Sequence, residues 1–244
     1  MRRYYYAAIS WADYHLGQVL TELDASGLAA DTAVLVHADH GWHLGEYAMW
    51  EKRTLWEAAT RVPMVLAVPW LPQSHGKRTS APVELVDVYP TLIDLAGVAP
   101  PANDSFPLAG TSLVPLLLDP ALPSLPNRSV ARSTYPRCPK IGGPVYDDSC
   151  IHTVERTAFP FVGYSIRDAN WRLTAFFAWN GSSLRPAAPD APPHSLELYD
   201  HRGDAPEGAG FERADFYEDV NVASAFPNVT QAMLETLKAA FALG

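Results

Sequence analysis

Two short apolar runs, TAVLVHAD (Thr32 to Asp39) and RVPMVLAVP (Arg61 to Pro69), constrain the fold of this chain more than any other feature. Each is nearly continuous and ends in polar residues or proline, the pattern of a strand buried on both faces of a parallel sheet. Tyr4 to Ala25 brings Ile9, Ala12, Leu16, Val19, Leu20 and Leu23 round at helical spacing, and SGL with Gly27 supplies a stop. LVDVYPTLIDLAGV reads as a second helix, with Asp87 as its N-cap, Pro90 in its first turn and Gly97 as its terminator. GTSLVPLLLDP adds a short third one. Strands interleaved with helices predict an α/β domain over residues 1–119, a parallel-type sheet sandwiched by helices.

Beyond residue 119 the character changes. Prolines and glycines accumulate over residues 120–162, which read as a linker. From residue 163 to 244 the pattern is that of a small α+β subdomain. GYSIRDANWRLTAFFAWN alternates and carries aromatics, SLELYD is a short strand, and NVTQAMLETLKAAFAL is a closing amphipathic helix. An antiparallel sheet with one packed helix is the simplest assembly of these pieces.

The chain has 244 residues and a formal charge of -9, with no Lys/Arg block, so a nucleic-acid partner lacks the basic surface it requires. No apolar run approaches the roughly 20 residues of a membrane span. Four of the six asparagines, Asn103, Asn127, Asn180 and Asn228, open N-x-S/T triplets. The two cysteines, Cys138 and Cys150, either close a small disulfide loop or stay unpaired thiols. Sequons and a disulfide together favour a lysosomal or secreted protein. The start lacks an export signal, from which the chain is expected to be the later part of a longer polypeptide.

The chemistry concentrates in HADHGWHLGE, His37 to Glu46, where a strand hands over to a polar, aromatic loop. In open α/β sheets ligands bind at the carboxyl ends of strands, and Asp39 and His40 stand there. A carboxylate beside an imidazole suits a divalent cation, and oxygen-rich surroundings favour Ca2+ over Mg2+. The plain structural alternative is that Asp39 caps the next segment and His40 is a satisfied core histidine. His43, Glu46, Trp50 and Lys52 crowd the same stretch, which weighs against filler.

These residues resemble the sulfatases of the alkaline-phosphatase superfamily, most closely the iduronate-2-sulfatase-like branch. The likeness runs through RRYYYAAISWAD, the D-H-G-W-x-L-G-E run with Lys52 thirteen residues after Asp39, VELVDVYPTLIDLAGV, STYPR, VGYSIRDANWRLT and LELYD. It implies that Asp39 and His40 are two ligands of a Ca2+ ion, and that Lys52 contacts the sulfate and aids departure of the leaving group. It also brings His43 and Trp42 near the substrate, and leaves Glu46 and Trp50 as loop supports. Arg53, Arg61, Lys77 and Arg78 add positive charge suited to a sulfated oligosaccharide.

The family's nucleophile is a formylglycine made from cysteine in C-x-P-S-R, and neither CPKIG at Cys138 nor CIHTV at Cys150 matches it. SLPNR, Ser124 to Arg128, formally matches a serine version, but follows the metal-binding run instead of preceding it. The resemblance thus implies the later portion of a sulfatase, poorly stable alone and inactive alone, with the formylglycine in the missing part. Two rivals remain: a phosphodiesterase or phosphonate hydrolase of the same superfamily, and a non-catalytic protein that binds sulfated glycans. Oligomeric state is left open.

Overall fold

The computed structural model describes residues 1–101, 107–138, 154–204 and 218–243. Asn103 and Cys150 lie outside the described residues. The chain divides into two compact units. The N-terminal unit comprises residues 1–51, 61–79 and 85–122, and the C-terminal unit residues 52–60, 80–84 and 123–244.

In the N-terminal unit, helix α1 (Arg2–Ala25) leads to strand β1 (Val34–His37). A two-residue strand β2 (His43–Leu44) pairs with β3 (Trp50–Glu51), and β4 (Met64–Ala67) returns alongside β1. The expectation of parallel pairing fails here: β1 and β4 are antiparallel, with Val34 opposite Ala67 and His37 opposite Met64. The ladder runs on through the Ala38 N–H, which donates to the Pro63 carbonyl at 3.3 Å. An apolar run carries no direction, so it announces a strand without saying which way its neighbour points. Nor are the two strands buried on both faces, since Val65 is 61% exposed. The apolar side of α1 is likewise open, with Ile9, Trp11 and Val19 all exposed and no residue of the helix buried.

Helix α3 (Val88–Leu95) starts where the sequence places it, but Asp87 does not cap it. Its carboxylate is fully buried and accepts the Thr111 N–H at 2.8 Å, while Thr91 Oγ1 accepts the Leu113 N–H at 2.8 Å. Two side chains of one helical turn thereby pin the approach to the short helix α4 (Val114–Leu118). A buried carboxylate without such a donor would cost several kcal/mol.

The C-terminal unit is built on one antiparallel sheet: β5 (Ala131–Arg137), β6 (Phe161–Arg167), β7 (Trp171–Asn180), and, beyond β7, β8 (Arg185–Pro186) and β9 (Ser195–Asp200). β5 falls in the stretch read as linker and is a strand nonetheless, paired with β6 along its whole length. Helix α5 (Pro227–Ala240) closes one face.

Period-two alternation decides which side chains meet that helix. Val162, Tyr164 and Ile166 of β6, Trp171, Leu173, Ala175 and Phe177 of β7, and Leu198 of β9 form one apolar cluster with Met233 and Leu237. Ile166, Leu173, Leu198 and Leu237 are wholly buried, each contributing about 1.5–3 kcal/mol relative to exposure. The intervening residues, Gly163 and Ser165 of β6, Arg172, Thr174 and Phe176 of β7, and Glu197 and Tyr199 of β9, take the opposite phase. α2 (Glu57–Thr60) lies in the same unit as that face and is tied to it by the contacts described below.

Candidate functional site

The loop after β1 is shaped by its backbone. Gly45 has φ of +114°, and a Cβ there would come within 3.2 Å of an Arg2 guanidinium nitrogen, so this position suits glycine alone. Tyr47, Ala48, Glu51 and Arg53 also have positive φ, between 56° and 80°. Such residues each cost about 1–3 kcal/mol and persist only where surroundings over-determine them, commonly at functional sites. The surroundings are visible. Arg2 Nε donates to the Leu44 carbonyl at 2.7 Å, and the Leu44 N–H donates to Glu46 Oε2 at 2.5 Å. Glu46 thus supports the loop, as expected of it.

Asp39 and His40 come together at the end of β1. His40 Nε2 is 3.5 Å from Asp39 Oδ2, and the Asp39 side chain is 85% exposed. His40 Nδ1 lies 2.9 Å from the Gly41 carbonyl oxygen. A carbonyl only accepts, so Nδ1 carries a proton, and Nε2 is the ring atom that faces the carboxylate. A histidine that donates one N–H to a backbone carbonyl while offering the other nitrogen is the usual arrangement of a metal ligand. By donor type and orientation the pair fits a divalent ion.

Trp42 stacks on His40 with ring centroids 6.2 Å apart, and on Tyr5 of α1 at 6.0 Å, forming an aromatic row beside the pair. His43 is fully buried in β2 and packs edge-on against Tyr47 at 6.1 Å. Lys52 is half-buried and belongs to the C-terminal unit, whereas Asp39, His40, Trp42 and His43 belong to the N-terminal one.

A second polar constellation, which the sequence reading missed, lies within the C-terminal unit. Arg172 of β7 is 3% exposed. Its guanidinium donates to Glu57 Oε2, to Glu218 Oε1 at 2.6 Å, to Thr60 Oγ1 at 3.0 Å and to Ser165 Oγ at 3.3 Å. Glu218 also accepts the Glu57 N–H at 2.8 Å. His201 sits between two carboxylates, with Nε2 3.1 Å from Glu218 and Nδ1 2.8 Å from Asp204. Arg167 closes the circle, 3.5 Å from Glu57 and 3.6 Å from Asp204.

Burial would raise the Glu57 pKa, but Arg172, Arg167 and His201 outweigh it and bring the carboxyl from 4.5 down to about 2. Burial likewise opposes the charge of Arg172, and Glu218 with Glu57 reverses that, so its pKa rises. Glu57, His201 and Glu218 have the donor types and spacing of a metal cage. The Arg172 guanidinium already binds both of those carboxylates, so a cation is in place and the cluster is structural by charge balance.

Two sequence-level candidates for other roles resolve structurally. Cys138 is in a disulfide, so it offers no thiol. SLPNR forms a tight turn in which Leu125 is buried and Arg128 pairs with Glu84 at 3.0 Å. Glu84 is further gripped by Arg132 through two guanidinium nitrogens at 2.8 and 3.0 Å. The Arg of that pentapeptide is thereby explained by packing. Among the described residues nothing fits the formylglycine nucleophile.

Residues 1–98 match the sulfatase family model. Human iduronate 2-sulfatase is 30% identical over 235 residues, covering 82% of this chain and 42% of that protein. Among solved structures, BT4656 in complex with its substrate D-glucosamine-2-N,6-O-disulfate superposes with a TM-score of 0.62 at 23% identity, over 94% of this chain and 38% of the other. A phosphonate monoester hydrolase of Agrobacterium radiobacter gives 0.64 at 22% identity, over 94% and 39%. At such identities the two structures speak for the fold alone. The chain spans well under half the length of each of these proteins. The family model and the curated relative converge: the chain belongs to the sulfatase family of the alkaline-phosphatase superfamily.

Proposed function

We propose that this chain supplies the metal-binding and sulfate-binding side of a sulfuric ester hydrolase that acts on sulfated glycans, of the iduronate-2-sulfatase-like kind. The observation that carries the reading is the orientation of His40, whose Nδ1 is engaged by the Gly41 carbonyl while Nε2 faces Asp39. In it, Asp39 and His40 hold Ca2+. A bound Ca2+ would draw electron density from the sulfate oxygens. In the same reading Lys52 contacts the sulfate, where an ammonium eases departure of the alkoxide. Trp42, stacked on His40, gives the sugar an apolar wall. His43, buried beneath the loop, acts on the substrate through the loop that it supports.

The family's formylglycine does not fit any described residue, so no nucleophilic step is derived for this chain. A lysosomal or secreted location accords with the exposure of Asn127, Asn180 and Asn228 and with the disulfide at Cys138.

Terbium luminescence tests the reading without requiring turnover. Tb3+ takes oxygen-rich calcium sites, and Trp42 is close enough to His40 to sensitise its emission. Saturable emission, displaced by Ca2+ and lost in Asp39→Asn and His40→Ala, is the expected result. Emission unchanged in both variants would overturn the assignment.

A further inference from the structure

Residues 52–60 belong to the C-terminal unit, although the chain up to Glu51 and from Arg61 to Thr79 belongs to the N-terminal one. This excursion is fastened at four points. Leu55 is buried where a Cβ on Gly163 would stand 2.6 Å from its Cδ1, so the missing side chain of β6 is the seat for Leu55. Trp56, a donor only, hydrogen-bonds to Glu197 and Tyr199 of β9. Glu57 is held twice, its carboxylate by Arg172 and its N–H by Glu218. Thr60 Oγ1 accepts from Arg172 at 3.0 Å. Helix α2 is a single turn of four residues, far too short to hold itself, so these attachments set its position.

We propose that Arg172 is a positioning residue for Lys52, gripping Glu57, Thr60 and Glu218 together so that the amine at the head of the segment is presented in one place. The proposal rests on the reading of Lys52 as the sulfate contact. Only a planar fork with several fixed donors serves these acceptors at once; a lysine ammonium retains the charge and loses the geometry. Arg172 touches no substrate in this scheme. Its effect travels through a short stretch of backbone that has little regular structure of its own.

Two measurements on the full chain test it, with Arg172→Gln, Arg172→Lys and Glu57→Gln. The first is amide hydrogen exchange over residues 52–60. Exchange about tenfold faster in all three variants, with α3 and β1 at their original rates, is expected of a released segment. Should Arg172→Gln fail to fold, Glu57→Gln opens the same link from the segment's side, with Arg172 still paired to Glu218. Original rates over residues 52–60 in folded Glu57→Gln and Arg172→Lys would overturn the proposal.

The second is the Ca2+-dependent affinity for a 2-O-sulfated heparin disaccharide, read as a cycle with Lys52→Ala. If Arg172 acts through Lys52, Arg172→Lys weakens binding about tenfold in the original chain and adds under about twofold once Lys52 is alanine. Full additivity would show that Arg172 does not work through the amine. Binding that Lys52→Ala leaves untouched would sink the sulfate role of Lys52, and with it the positioning role. The exchange data would still report on the fastening itself.

Discussion

The end of β1 and the middle of β7 both gather charge, and they do so in opposite ways. At β1, Asp39 is open to solvent, His40 Nε2 stands 3.5 Å from it, and four neighbouring residues hold costly left-handed backbone. At β7, Arg172 is buried and every attachment is answered within the same unit by Glu57, Glu218, Thr60 or Ser165. The first arrangement is open. The second is finished, and its work is to hold. Burial and perturbed pKa values single out the β7 cluster, and charge balance marks it as structural.

The sharpest way to break the contrast is Arg172→Ala. It leaves Glu218 buried without its guanidinium and Glu57 to the more distant Arg167, and a loss of about 3–5 kcal/mol is expected from chemical denaturation of the chain. A loss under about 1 kcal/mol would mean that water reaches the cluster.

Acid probes the same place. The Glu57 carboxyl is lowered from 4.5 to about 2, so folding favours its ionised form. That contribution is complete above about 4.5 and drains away as pH falls to about 2, amounting to up to about 3 kcal/mol. Glu57→Gln should flatten the acid limb of the stability profile in that window. An unchanged limb would remove Glu57 as its source.

Gly163→Ala sets a smaller effect. The new methyl would meet Leu55 Cδ1 at 2.6 Å and Phe176 Cε1 at 2.7 Å, and about 1–3 kcal/mol of overpacking should appear as a lowered Tm. Least costly is Asp39→Asn, an exposed change within about 0.5 kcal/mol of neutral in thermal melts without calcium. If Asp39 and His40 hold Ca2+ as proposed, the same variant should lose the stabilisation that added Ca2+ gives the original chain. A large loss of stability without calcium would make Asp39 structural instead.

The sequence announces the elements that depend on local pattern. α1, α3, α4 and the closing helix appear within a few residues of where periodicity and punctuation put them, and so do β1 and β4. What escapes is whatever depends on distant partners. Nothing in RVPMVLAVP fixes its direction relative to TAVLVHAD, and the pairing is antiparallel. Asp87 looks like a cap and is instead an acceptor for Thr111, 24 residues on. β5 carries Pro136 and hides among prolines: among the described residues it pairs only with β6, and an edge strand tolerates a missing N–H.

The Arg172 cluster is the extreme case, since its carboxylate partners lie 115 and 46 residues away. One local signal was available. WRLTAFFAW alternates Arg172 and Thr174 with Leu173 and Ala175, and a charge in phase with a strand's second face asks for a buried counter-charge. In the candidate site, Asp39 and His40 were legible because the hand-over from strand to polar loop is itself local. The unit to which Lys52 belongs was not.

The excursion of residues 52–60 has a practical consequence for anyone recombining relatives of this protein. A chimaera that exchanges the C-terminal sheet at a boundary after residue 120 would import a foreign Arg172 and Glu218 while retaining the resident Glu57, Trp56 and Leu55, separating lock from key. Crossovers should instead transfer residues 52–60 and 80–84 together with the sheet, as one heritable cassette, even though residues 61–79 and 85–122 of the other unit interrupt them in the gene.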